Sequence, residues 1–149
     1  RPRWRFTASY ALTPRLKLGL EYNPAIDEVN PIGNWIALPE SEKTPMVSFG
    51  TSSDRIFSPE GTRAYFTTFA KGLPGGRIAP YVSVSYSEWE KRFLFPFGAN
   101  VVLDEHWDVM GMNDGRNTHL LLTYKMPTSN VTLMLVKMRH VGISYGWSF

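Results

Sequence analysis

The sequence predicts an all-β fold: an up-and-down antiparallel transmembrane β-barrel of about 10–12 strands, in one domain over residues 1–149. Three observations predict it. Apolar and polar residues alternate with period two through much of the chain, the repeat of a strand with one apolar face. Turn residues recur at intervals of roughly a dozen positions. No stretch combines a 3.6-residue period with capping residues, so no helix is expected.

The first hairpin is the clearest element. Trp4, Phe6, Ala8, Tyr10 and Leu12 alternate with Arg3, Arg5, Thr7, Ser9 and Ala11. After a turn at Thr13-Pro14-Arg15 the pattern resumes as Leu16, Leu18, Leu20 and Tyr22 against Lys17, Gly19, Glu21 and Asn23. Proline presets φ for the turn and donates no ladder hydrogen bond. Each arm has about the length of a tilted membrane-spanning strand.

Residues 24–33 read as a polar loop, and 34–38 and 46–53 as strands around a charged turn at 39–45. A longer loop is expected at 54–62. The strand at 63–71 ends at Gly72-Leu73-Pro74-Gly75-Gly76, a strong turn signal. In the strand over 78–88, Val82, Val84 and Tyr86 oppose Ser83, Ser85 and Ser87. Residues 89–96 read as a loop or a flared strand end. Strands at 97–103 and 107–112 flank a turn at 104–106, and Asp114-Gly115 is a favoured hairpin turn before a strand at 118–126. The final segment, 131–149, is too long for one strand and is expected to bend near 137–140. The count is then about eleven, which closes with every neighbour antiparallel only if a strand precedes Arg1 or the count is off by one. A single strand over 131–149 gives ten.

The end of the chain is the most regular stretch. Val141, Ile143, Tyr145, Trp147 and Phe149 share one face, while Gly142, Ser144, Gly146 and Ser148 share the other. The pattern, carried by Gly142-x-x-Tyr145-x-Trp147, resembles the C-terminal β-signal of Gram-negative outer-membrane β-barrel proteins. In that family the signal usually stops at its second aromatic, and here Ser148 and Phe149 continue it. Phe97-Gly98-Ala99-Asn100, Asp114-Gly115-Arg116 and the aromatic finish also resemble hairpins of larger outer-membrane barrels of unassigned role. The resemblance implies integral localisation in the outer membrane, with its lipid as a partner and other envelope proteins or copies of the chain as further ones. The turns after the odd-numbered strands are mostly tight, while those at 24–33, 54–62 and 89–96 are longer. Outer-membrane barrels keep short turns in the periplasm, so the first strand is expected to start at the extracellular rim. Its alternation matches that of the last strand, so the two are expected to pair and close the barrel.

Composition excludes several classes. The chain has no cysteine, which removes disulfides and thiolate metal sites. Its longest apolar runs are far short of the roughly 18 residues of a membrane helix. A net charge of +3, with scattered Lys and Arg, gives no support to a nucleic-acid partner. No signal peptide is visible and strand-like sequence begins at Arg1, which reads as a processed or trimmed form.

Candidate functional residues form three groups. Arg3, Arg5, Lys17 and Glu21, on the polar face of the first hairpin with Thr7 and Ser9, are expected to form a charge network inside the barrel. It would be a plug of ion pairs or a constriction that selects solutes. Trp4, Tyr10, Tyr22, Tyr145, Trp147 and Phe149 are expected at the membrane interfaces, where amphipathic rings are favoured. Asp104, Glu105, His106 and Asp108 are dense enough to raise a divalent cation site, but a solvated turn explains them, and no metal or other cofactor is expected. Met110, Met112, Met126, Met134 and Met138 read as ordinary packing. A Ser–His hydrolase could be posed from His140 with Ser144, or from His119 with a neighbouring-strand Ser or Asp. Small outer-membrane barrels that deacylate lipid A use such a pair, but their His-x-Ser spacing is absent. His140 and Ser144 would lie roughly 13 Å apart along a strand, too far to hydrogen-bond.

The expected role is therefore non-enzymatic: a structural or accessory component of an envelope assembly, or a narrow, porin-like pore. Two alternatives stand. A soluble lipocalin-like barrel binding an apolar ligand would turn the same apolar stripe inward, and periodicity alone does not choose. An outer-membrane lipid-modifying hydrolase is the third.

Overall fold

The structure is a computed structural model and describes residues 4–54 and 59–148. Twelve strands carry the fold: β1 (Phe6–Thr13), β2 (Leu16–Asn23), β3 (Glu28–Leu38), β4 (Met46–Ser53), β5 (Arg63–Ala70), β6 (Ile78–Ser87), β7 (Arg92–Leu94), β8 (Phe97–Val102), β9 (Trp107–Asn113), β10 (Thr118–Lys125), β11 (Ser129–Val136) and β12 (His140–Trp147). They hydrogen-bond as one antiparallel, up-and-down sheet in chain order from β1 to β12, with β7 paired to β6 off that path. The all-β expectation and its strand number hold. The chain divides into two compact units, Arg1–Phe69 with Ser83–Leu94, and Ala70–Val82 with Phe95–Phe149.

In the first unit, β1 and β2 pair as their alternation requires. Phe6 lies opposite Tyr22, Ala8 opposite Leu20 and Tyr10 opposite Leu18 on the apolar face, and Thr7 opposite Glu21 on the polar one. The next strand departs from expectation. Much of the presumed loop at 24–33 is strand, because β3 begins at Glu28 and holds register with β2 through Leu20–Pro31. Proline is tolerated there for a geometric reason. In an antiparallel strand the N–H and C=O of one residue point to the same side. The Pro31 carbonyl accepts from the Arg63 guanidinium rather than from β2, so the missing N–H costs the β2–β3 ladder nothing.

A second correction falls at 89–96. Arg92–Leu94 pairs with β6, Ser85 opposite Leu94, and Val82 lies opposite Phe97 in the same register. β7 and β8 are thus one strand interrupted at Phe95 and Pro96. The supposed difference between short and long turns goes with these two loops. The connections at 24–27 and 88–91 are as tight as those at 103–106 and 114–117, while 39–45, 54–62 and 71–77 are longer. Turn length no longer orients the strands.

In the second unit, β8 to β12 form a regular meander. The chain bends as expected between β11 and β12, where Lys137 and Met138 both take positive φ. Asp114-Gly115 turns β9 into β10, with Asp114 N–H donating to the Asn117 carbonyl at 3.0 Å. The expected pairing of the first strand with the last is not among the ladders of the described residues. β1 and β12 are the two ends of the strand order.

Candidate functional site

The few buried side chains of this protein are mostly polar. Among the described residues the buried apolar side chains are Ala64 and Leu94, while Glu21, Asn30, Ser48, Ser53, Ser83, Ser87 and Thr132 are buried polar ones. Many large apolar side chains are exposed instead, Val141 to 76% and Trp147 to 65%.

Strand register sets these exposed residues, with half-buried ones between them, in rows. In the second unit Trp107, Tyr124, Val131 and Tyr145 lie side by side across β9 to β12. Trp107 and Tyr124 pack with centroids 4.9 Å apart, and His106 stacks on Tyr124 at 5.8 Å. Two residues further along each strand, about 7 Å away, comes an aliphatic row of Val109, Leu122, Leu133 and Ile143. Gly111, Leu120, Leu135 and Val141 follow. In the first unit Phe6, Tyr22 and Val29 mark one end of the apolar face and Leu16, Trp35 and Phe49 the other. Ala8, Leu20 and Pro31 lie between them, as do Tyr10, Leu18 and Gly33. Trp35 stacks on Phe49 at 6.0 Å.

Of the aromatics singled out in the sequence, Trp4, Tyr10, Tyr22, Tyr145 and Trp147 are all exposed, and Phe149 lies outside the described residues. Tyr22 and Tyr145 sit in end rows. Tyr10 stands in an inner row beside Leu18.

The polar face of the first unit holds a closed three-residue network. Arg5 Nε lies 3.2 Å from Glu21 Oε2. Arg5 Nη2 donates to Ser53 Oγ at 3.1 Å, and that hydroxyl donates to Glu21 Oε1. Glu21 is 5% exposed, and a buried carboxylate is tolerable only with such partners. Sequence reasoning grouped Arg5 and Glu21 with Arg3 and Lys17 but missed Ser53, 32 residues beyond Glu21. Nothing distinguished it from the other hydroxyls of its strand. Lys17 does not join, because it is four residues from Glu21 on the same strand and faces Ala11 and Asn34 instead. It lines a cavity of about 300 Å³ with Thr7, Ser9, Glu21, Asn34 and Phe66. Arg3 lies outside the described residues.

The second unit has two further pairs on its polar face. Lys125 Nζ donates to Asp108 Oδ1 at 3.0 Å. His119 Nε2 lies 3.1 Å from Asp114 Oδ2, and His119 Nδ1 accepts the backbone N–H of Lys137 at 3.2 Å. The other Asp114 oxygen accepts N–H groups of Arg116 and Asn117 at 2.8 and 2.7 Å. Burial pushes the Asp114 carboxyl up, but the donors from Asn117, His119 and Arg116 outweigh it and hold the acid below its ordinary value.

The acidic group at 104–108 does not converge. Asp104 Oδ1 caps its own turn, accepting from His106 N at 2.8 Å and Trp107 N at 2.9 Å. The His106 N–H, followed by that of Trp107, holds this carboxyl low. Asp108 is held by Lys125. Among the described residues no three His, Cys, Asp or Glu side chains are grouped to hold a metal ion. His140 and Ser144 lie on one strand opposite Val136 and Thr132, two facing pairs apart on the same side. His119 meets an acid, as a catalytic histidine would, but the ring nitrogen left for a nucleophile is occupied by Lys137 N–H.

No family model, curated protein or solved structure matches this chain. The fold and the two faces define its class: an antiparallel meander with apolar residues exposed and polar residues buried.

Proposed function

We propose that this chain is an integral outer-membrane β-barrel protein of a Gram-negative envelope, acting as a structural or accessory element or as a narrow pore. One observation carries the reading: among the described residues the buried side chains are mostly polar, while the apolar rows are exposed or half-buried. In water each Å² of exposed apolar surface forgoes about 25 cal/mol, and soluble monomers rarely expose contiguous apolar patches above a few hundred Å². Hydrocarbon removes that cost. A strand with an apolar lipid face and a polar inner face is the rule for membrane barrels, as are aromatic rows at the ends of the apolar face.

Closure of the sheet requires its two ends to be joined. With β7 and β8 counted as one strand the path has an odd number of strands, so closure needs either one parallel pair or one further strand. Single-chain barrels of bacterial outer membranes have even strand numbers, so on this reading closure takes one further strand. The ion-paired network of Arg5, Glu21 and Ser53 favours a plugged interior over an open channel. The lipocalin-like alternative needs an apolar lining, and most of the buried positions among the described residues are polar. In the hydrolase alternative His119 would have its acid in Asp114, but its other ring nitrogen is taken by the Lys137 N–H.

Extraction tests the membrane reading: the chain should stay with membranes until detergent is added and should migrate faster unheated than boiled on a denaturing gel. Release into buffer without detergent overturns it. Single-channel recording separates pore from plug, with a silent bilayer after confirmed insertion assigning the structural role.

A further inference from the structure

The turn between β11 and β12 has the wrong residues for its backbone. Lys137 and Met138 sit consecutively at φ 54 and 53, and Arg139 N–H closes the turn onto the Val136 carbonyl at 3.1 Å. The connection has three residues, because Val136 pairs with His140, and its first two are both left-handed, the conformation for which Asn-Gly is favoured. A side chain at each position strains the backbone. The strained conformation is held from outside the turn, because Lys137 N–H is anchored on His119.

The turn presents cation, apolar and cation in succession, all three exposed. Met138 is 52% exposed. Neither Lys137 nor Arg139 forms an ion pair within the described residues. The neighbouring acid, Asp114, is already engaged by His119 and by two backbone N–H groups. Directly next to the turn the exposed apolar face begins with the Leu135–Val141 pair.

We infer that this turn docks the phosphate of an anionic lipid headgroup at the edge of the apolar face, Lys137 and Arg139 meeting the phosphate oxygens while Met138 enters the boundary between headgroup and acyl chains. The inference rests on the membrane reading proposed above. Long cationic side chains lay their stems along apolar surface and hold their charge at headgroup level. Each such cation near an anionic surface strengthens binding roughly fivefold, so the pair is worth roughly 25-fold. A free phosphate ion would use the two charges but not Met138.

The folded full chain in neutral detergent, titrated with phosphatidylglycerol or phosphatidylcholine and read by native mass spectrometry, tests the site. The wild-type chain should retain phosphatidylglycerol at least tenfold better than phosphatidylcholine. Lys137→Gln with Arg139→Gln should bring the two lipids near parity, while Lys137→Arg with Arg139→Lys should keep the preference. Met138→Ser should weaken the retained phosphatidylglycerol. Parity in the wild type overturns the inference, as does an undiminished preference in the double glutamine variant. Full displacement of the lipid by an equal concentration of inorganic phosphate overturns the lipid assignment. A wild-type chain that enters bilayers without distinguishing the lipids removes this inference alone, whereas one that never enters them removes the membrane reading as well.

Discussion

The backbone N–H of Lys137 donates to Nδ1 of His119 at 3.2 Å, across 18 residues, while Nε2 of the same ring faces Asp114. One imidazole thus ties the β9–β10 turn to the β11–β12 turn. The contact fixes the tautomer: with Nδ1 accepting, the ring proton sits on Nε2, toward the carboxylate.

Replacing His119 should release the strained turn. His119→Ala removes the acceptor for Lys137 and the side-chain partner of Asp114, a loss of about 1–3 kcal/mol. The unfolding midpoint in urea should fall, and the Lys137 amide should exchange with solvent faster than in the wild type. An unchanged exchange rate at that amide would show that the ring does not hold the turn.

The pH dependence follows from Asp114. Its folded pKa is depressed below the ordinary value of about 3.9, despite burial, by donors from Asn117, His119 and Arg116. Stability from these bonds is therefore complete above the ordinary value and is lost as pH falls through the lower folded one. Unfolding midpoints measured from pH 6 down to strongly acid conditions should drop in the wild type and drop less in Asp114→Asn. An equal drop in both proteins would contradict this.

On the polar face of the first unit, Glu21 is more buried than its partner Arg5, with side-chain exposures of 6% and 38%. Glu21→Ala leaves a guanidinium and a serine hydroxyl without their acceptor. Discounted for the exposed arginine, the loss should be about 1–3 kcal/mol. Ser53→Ala should cost about 1 kcal/mol. Because the three groups form one closed network, the double variant should lose less than the sum of the two. Strict additivity in a double-mutant cycle would show that they act independently.

A charge placed on the apolar face separates lipid from water. Leu133 lies between Leu122 and Ile143, in an inner aliphatic row. Leu133→Lys should cost about 2–4 kcal/mol if this row lies at the middle of a bilayer, but less than about 0.5 kcal/mol on a solvated surface. Unfolding of the variant in vesicles reads the difference. A neutral result there would place the row in water.

The sequence carried the elements that depend on local period. The first hairpin, the bend before the last strand and the Asp114-Gly115 turn were all readable, since alternation and turn chemistry are set within a few residues. Strand continuation through Pro31 was not, because it depends on which side of β3 that residue's carbonyl faces. The third member of the Arg5–Glu21 network was equally hidden. A serine 32 positions away carries no mark of the partner it will meet. His119 and Asp114 are close in sequence, yet their link to Lys137 appears only once two hairpins lie side by side.

By itself the sequence determined that the chain is built of strands and which residues share a face, because the period-two alternation belongs to the extended backbone whatever surrounds it. Only the tertiary structure decided which face is buried. Burial is a property of neighbouring strands: it leaves Val141 and Trp147 exposed, closes over Glu21 and Ser53, and needs contacts that no local pattern contains.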